Sequence, residues 1–181
     1  MKVLLHICCG ICALSVIERL QIEGHAVTGY FYNPNIHPQD EYKKRLEVAE
    51  KAAESYGIDL VEERYDRENW FLAVKGQENE PEGGGRCKVC YKMRLQKTYE
   101  YSRYHHFDLF TTTLTVGPMK EAAIINQIGR DIGEDRFICA DFKKKDGFKR
   151  SIELAKEMEL FRQDYCGCIY SLEEKYRREK K

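Results

Sequence analysis

The hydrophobic pattern alternates between short apolar runs and longer amphipathic stretches along most of the chain. Val3-Leu4-Leu5-His6-Ile7 is nearly continuous and apolar, the length of a buried first strand. Ala13 to Leu20 then places Leu14, Ile17 and Leu20 at helical spacing, with Gly24 as a left-handed cap. His25 to Tyr32 predicts a second strand, ended by the turn formers of Asn33-Pro34-Asn35-Ile36-His37-Pro38. From Asp40 to Tyr56 a charged helix turns Tyr42, Leu46, Ala49 and Ala53 inward and stops at Gly57; Ile58 to Tyr65 predicts a third strand. A short helical piece at Trp70-Phe71-Leu72-Ala73-Val74 leads into the polar run Gly76 to Arg86, which ends Gly83-Gly84-Gly85 and is expected to be a mobile loop delivering Cys87. Beyond it the pattern predicts a basic helix from Lys88 to Tyr104 and a Thr-rich strand from Phe107 to Val116. A helix from Lys120 to Ile132 capped by Gly133, a fifth strand from Arg136 to Phe142 and a helix from Phe148 to Phe161 follow. Glu173 to Lys181 mixes both charge signs and reads as an exposed terminal helix.

Strands separated by helices imply parallel pairing with right-handed crossovers, hence one α/β domain over residues 1–181 with its site at the carboxyl ends of the strands. Lysine plus arginine and aspartate plus glutamate balance at 30 each, so attraction to nucleic acid has to come from local clustering. The amino-terminal apolar run is too short for a secretory signal or a membrane span, so the protein is expected to be cytoplasmic, with no membrane partner. Eight cysteines in a reducing compartment point to metal or redox chemistry, because cytosolic thiols are kept reduced.

Seven of those cysteines fall into clusters. Cys8, Cys9 and Cys12 follow the first strand at the start of a helix, where backbone N–H groups favour thiolates and sulfides. Cys87-Lys88-Val89-Cys90 is a C-x-x-C pair, which suits either a structural zinc or an iron-sulfur centre. Cys166-Gly167-Cys168 could close only a small, strained and therefore easily reduced disulfide, which suits a redox pair; binding a second metal is the alternative. Cys139, inside Phe137-Ile138-Cys139-Ala140, reads as core. Three clusters exceed one tetrahedral site, so an iron-sulfur cluster plus a further redox or metal function is the expectation.

Other groups belong to the same predicted sheet edge. His6 is close to Cys8 in sequence and reads as a cluster-side hydrogen bonder or a satisfied core histidine. Tyr32, Asn33, Asn35 and His37 could line a pocket, although turn chemistry also explains Asn33 and Pro34. Thr111, Thr112 and Thr113 offer hydroxyls, and Asp141 is a candidate proton donor or ligand. Arg86, Lys88, Lys92, Arg94 and Lys97, and the run Lys143 to Arg150 that includes Lys144, could meet RNA phosphates, with Tyr91, Phe142 and Phe148 for bases.

Five segments, His6-Ile7-Cys8-Cys9-Gly10-Ile11-Cys12, Tyr32 to Pro38, Arg86 to Tyr91, Thr111 to Leu114 and Tyr165-Cys166-Gly167-Cys168, together resemble the cobalamin-independent epoxyqueuosine reductases, the QueH family. The resemblance implies reduction of an epoxide on a modified guanosine of the tRNA anticodon loop to an alkene, with loss of water, as the last step of queuosine synthesis. It implies a three-layer, mostly parallel fold similar to the adenine-nucleotide α-hydrolases, a [4Fe-4S] cluster on Cys8, Cys9, Cys87 and Cys90 with Cys12 undecided, and a redox-active Cys166 and Cys168. An unidentified electron donor is implied too, and a second iron is the alternative electron store. Taken with the sheet-edge reading, Tyr32, Asn33, His37, Thr112 and Lys144 become the candidate substrate contacts, and Asp141 the candidate proton donor. The chain departs from the family pattern at Ile11, where proline is common, and at Gly117-Pro118, where Ser-Pro is common. A tRNA sulfur-transfer enzyme of the same fold and a zinc-stabilised RNA-binding module are the rival readings.

Overall fold

A computed structural model describes residues 1–180. Four strands, β1 (Lys2–His6), β2 (Ala26–Phe31), β3 (Leu60–Glu62) and β4 (Leu109–Thr112), form one parallel sheet in the order β3-β2-β1-β4. The helices are α1 (Gly10–Ile22), α2 (Gln39–Ser55), α3 (Arg67–Ala73), α4 (Gly85–Tyr104), α5 (Ala122–Gly133), α6 (Gly147–Glu157) and α7 (Ile169–Glu179).

The central position of β1 explains its apolar run. Val3, Leu5 and Ile7 enter one layer with α1, α2 and α6, while Leu4 enters the other with α4 and α5, and all four side chains are fully buried. Register pairs His6 with Tyr30 of β2 and with Thr112 of β4, so the three strands end together and their following loops meet at one edge. Gly24 takes φ of 80° just past α1, the left-handed turn its position in the sequence predicts.

Three departures from the sequence reading have local causes. The fifth strand shrinks to a single bridge between Phe110 and Phe137. Beyond it the backbone is claimed by side chains: Asn126 takes both Ala140 N and Ala140 O, at 3.3 and 3.2 Å, and Thr115 Oγ1 accepts from Phe142 N. Cys139 consequently lies exposed, accepting from Arg130 Nη2 at 3.3 Å, and is not core. The Thr-rich strand stops at Thr112, whose hydroxyl accepts from Leu114 N at 3.1 Å and starts a tight turn over Thr113–Val116.

The glycine-rich run is tied down. Arg86, buried, donates to the carbonyls of Gln77, Glu78 and Glu80, and Glu80 accepts from Gly85 N, so α4 begins at Gly85 and Cys87 sits in its first turn. The helix expected to reach Phe161 ends at Glu157. The expected terminal helix begins earlier, at Ile169, and its last residue, Lys181, lies outside the described residues.

Candidate metal centre

The first thiol group is built by the β1–α1 junction. Cys9 is the N-cap of α1 and its Sγ accepts from Cys12 N at 3.4 Å, which brings Cys12 back over the cap. The Sγ atoms of Cys8, Cys9 and Cys12 all lie within 4.8 Å of one another. Thr113, carried by the turn after β4, accepts from Cys8 N at 3.0 Å and donates to Cys8 Sγ at 3.2 Å. Donation from Cys12 and Cys9, with the nearby Arg94 charge and Thr113, holds the Cys8 thiol well below its ordinary range despite burial. Sharing with Cys8, then with Cys9, and burial push Cys12 well above it. Three packed sulfurs therefore favour one shared negative charge, and adding cations is the natural way to ionise the rest.

Behind this group lies a scaffold of buried polar side chains. His6 Nε2 faces the carbonyl of Tyr32 at 3.2 Å, and Nδ1 faces Thr112 Oγ1 at 2.8 Å. A carbonyl can only accept, so Nε2 carries the proton and Nδ1 accepts from the threonine. Burial and then Arg94 lower the His6 pKa to about 3, keeping the ring neutral. Asn33 donates to Ile7 O at 2.8 Å and accepts from Arg94 Nη1 at 3.2 Å.

The second thiol group comes from α4 and the carboxyl-terminal segment. Cys87 and Cys90 are one turn apart and buried, and burial raises both pKa values. Cys90 packs with Trp70, Val74 and Cys168. Gly167 has φ of 127°, a conformation that favours glycine, and its carbonyl accepts from His37 N at 2.7 Å. Buried Arg45 donates to the carbonyls of Tyr165 and Cys166 and pairs with Glu41, fixing this segment to α2. The two thiols then part: Cys168 Sγ caps α7 by accepting from Ser171 N, while Cys166 Sγ accepts from Lys120 Nζ at 3.1 Å.

Cys8, Cys9, Cys12, Arg94, Lys120 and Cys166 line a common cavity of about 390 Å³. Arg94 Nε and Nη1 face Cys90 O and Asn33 Oδ1, placing a fixed cation among the thiols. Half-buried Lys120 projects from the loop before α5 toward the ring of Tyr91, 5.7 Å away.

The other residues singled out in the sequence occupy different places. Tyr32, Asn33, His37 and Thr112 are buried, do not line this cavity, and serve the scaffold just described or, for His37, stack on Phe71 at a ring distance of 4.8 Å. Asp141 lies outside the cavity lining, 3.7 Å from Lys143 Nζ, and Lys144 is exposed. Of the first basic tract, Arg86 and Arg94 are turned inward and take structural partners. Its place in a basic tract suggests a surface position for Arg94, yet its spacing of four from Cys90 and seven from Cys87 puts it on their helix face, a usable signal. Lys120, Arg45 and the Thr113 contact with Cys8 had no sequence signal, since tertiary packing alone brings them in.

A family model described as epoxyqueuosine reductase QueH matches residues 3–174. Epoxyqueuosine reductase QueH of Haemophilus influenzae is 43% identical over 175 residues, covering 94% of this chain and 71% of that protein. The Thermotoga maritima protein of the same name is 35% identical over 184 residues, covering 98% and 93%. Among solved structures, the U34-tRNA thiolase NcsA from Methanococcus maripaludis with its [4Fe-4S] cluster aligns with a TM-score of 0.59 at 17% identity. This chain is 94% covered by that match and spans 61% of the thiolase chain. A predicted tRNA methyltransferase subunit from Methanocaldococcus jannaschii gives a TM-score of 0.59 at 17% identity, over 87% of this chain and 75% of that one, so both neighbours speak for the fold alone. By the family match and by relatives that align along nearly its whole length, this chain belongs to the epoxyqueuosine reductase QueH family.

Proposed function

We propose that this protein reduces epoxyqueuosine in a tRNA anticodon loop to queuosine, in the cytoplasm, at a metal centre anchored where β1 meets α1. The observation that carries the reading is the group of three sulfurs within 4.8 Å of one another, lining a cavity, in a chain of this family. An all-sulfur donor set with N–H and O–H donors already on it, beside a buried arginine, fits a negatively charged iron-sulfur cluster. Cys8, Cys9 and Cys12 would supply three of the four thiolates that a [4Fe-4S] cluster takes, with Cys87 or Cys90 supplying the fourth. When bound, such a cluster supplies electrons one at a time.

The chain's own residues do the rest. Cys12 and Cys9, then Arg94 and Thr113, favour the charged form of Cys8. Cys166 and Cys168 serve as the second electron store, which requires their sulfurs to leave Lys120 Nζ and Ser171 N and meet as a disulfide on oxidation; a second iron on these thiols is the alternative that iron counting decides. The described residues contain no helix long and apolar enough to cross a membrane, in keeping with a tRNA substrate reached from solution. An ATP-dependent sulfur-transfer reading needs a phosphate cradle after β1. Here the single glycine of that loop, Gly10, is used against α2: a Cβ there would lie 2.3 Å from Val48 O.

The test is anaerobic reconstitution with iron and sulfide, addition of dithionite, and nucleoside mass spectrometry of tRNA carrying epoxyqueuosine. Conversion to queuosine is expected, and Cys166→Ala is expected to lose activity while keeping the cluster. A fully loaded protein that leaves epoxyqueuosine unchanged refutes the reading, and activity retained in Cys166→Ala removes the redox pair from it.

A further inference from the structure

Of the cations that line the cavity, Arg94 and Lys120 are the two that act on its thiol sulfurs, and they differ in how firmly they are held. Arg94 is buried, with Nε and Nη1 on Cys90 O and Asn33 Oδ1 and its guanidinium 5.9 Å from the Tyr91 ring centre. It is a fixed counter-charge. Lys120 has a flexible stem on the loop that follows Gly117-Pro118-Met119, and its Nζ has one hydrogen bond, to Cys166 Sγ at 3.1 Å. Among the described residues it has no carboxylate partner; burial works against its charge, and Cys166, Tyr91 and Cys8 favour it. It therefore stands between the first thiol group and the carboxyl-terminal one, on the wall of the space where a substrate would sit.

We propose that Lys120 is the catalytic residue that receives the epoxide oxygen, donating a hydrogen bond to it in the bound substrate and meeting its charge as the ring opens. This rests on the reductase reading above. In the overall change both epoxide C–O bonds break, a C=C bond forms, and the oxygen leaves with two protons from solvent as water. The two electrons come from an external low-potential one-electron donor, which is oxidised as the epoxide is reduced. As the first C–O bond breaks, its electron pair stays on oxygen, and an ammonium already inside a partly dehydrated cavity stabilises that alkoxide without having to be brought from solvent. Asp141 has no comparable position, because it lies outside the cavity lining and near Lys143.

The reconstituted wild-type enzyme, Lys120→Met and Lys120→Arg are compared by iron content, visible absorption, turnover with dithionite, and affinity for tRNA carrying epoxyqueuosine against tRNA carrying queuosine. Expected for Lys120→Met is a turnover lower by about 10²- to 10³-fold with cluster content unchanged. The wild type is expected to bind the epoxide form roughly ten-fold more tightly than the alkene form, a preference that methionine abolishes and arginine partly keeps. Lys120→Met with turnover within a factor of about three of wild type overturns the proposal, as does a wild type with no preference between the two tRNAs. Loss of iron from Lys120→Met also overturns it, by assigning the residue to site assembly. A wild type inactive on epoxyqueuosine refutes the reductase reading itself, which separates the two failures.

Discussion

Replacing Gly10 by alanine tests whether the three-thiol group depends on the packing of α1 against α2. An ideal Cβ at Gly10 would lie 2.3 Å from Val48 O, 2.4 Å from Val48 C and 2.7 Å from Ala49 N. The nearest of these is about 1 Å short of ordinary contact, and all three are backbone atoms in the middle of a helix, which cannot swing aside as a side-chain tip can. Overpacking of this kind costs roughly 1–3 kcal/mol, and the helix preference of alanine over glycine returns at most about 1 kcal/mol. A net loss of about 1–2 kcal/mol follows, or roughly 2–8 °C in Tm for a chain of this size. The loss has a chemical counterpart because Gly10 is flanked by Cys9 and lies between Cys8 and Cys12. A shift near 1 Å exceeds the roughly 0.5 Å tolerance of a preorganised site, so iron bound per chain after reconstitution should fall. Urea unfolding of the reduced, metal-free protein reads the first effect and iron analysis the second. Gly24→Ala is the control: nothing lies within 4 Å of its Cβ, but φ is positive, so it should lose stability without losing iron. Gly10→Ala with unchanged urea midpoint and full iron would refute the packing argument.

Arg45→Met should destabilise the protein by about 3–5 kcal/mol, because Glu41 and the carbonyls of Tyr165 and Cys166 lose a buried cationic partner. Alkylation mapped by peptide mass spectrometry should show Cys166 reacting faster, and an unaltered Cys166 rate would contradict the bracing role. Stability should also fall in mild acid through His37, whose pKa burial and then Arg67 lower to about 4. A base with a depressed folded pKa binds fewer protons folded than unfolded, so its contribution is complete above about pH 6.5 and is lost as pH falls toward 4. The span corresponds to roughly 3 kcal/mol at most, and His37→Phe should flatten urea midpoints across that window; an unchanged acid limb would exclude His37 as its source.

The sheet order was not written in the sequence, but the alternation that produces it was. Val3, Leu5 and Ile7 separate cleanly from Leu4 because β1 is central, and that is visible as a run with no polar face. The fifth strand failed because Phe137-Ile138-Cys139-Ala140 has strand composition, while the groups that intercept its backbone, Asn126 and Thr115, are remote in sequence. The same interception turned Cys139 outward. The thiol groups were legible as spacings, and Cys12 in particular joins Cys8 and Cys9 because one helical turn returns it to the cap. How the cavity is charged was legible only in the helical spacing of Arg94 from Cys87 and Cys90. Arg94 reads as surface until α4 is placed with the Cys90 face inward, and Lys120 reaches Cys166 across 46 residues of sequence. Tyr32, Asn33 and Thr112 sit in motifs read as substrate contacts, yet their observed partners are the backbone and side chains that hold the β1 loop, which is why a motif by itself could not separate support from contact.

The proposed chemistry depends on Cys8, Cys9 and Cys12 anchoring an iron-sulfur cluster. The direct measurement is iron and acid-labile sulfide per chain, with the visible spectrum, after anaerobic reconstitution of wild type and of each single alanine variant. Expected are a brown wild type with about four irons in its cluster and substantial loss of cluster in Cys8→Ala, Cys9→Ala and Cys12→Ala, while Cys139→Ala stays like wild type. A colourless protein that takes up zinc, or a full cluster in all three variants, would contradict it.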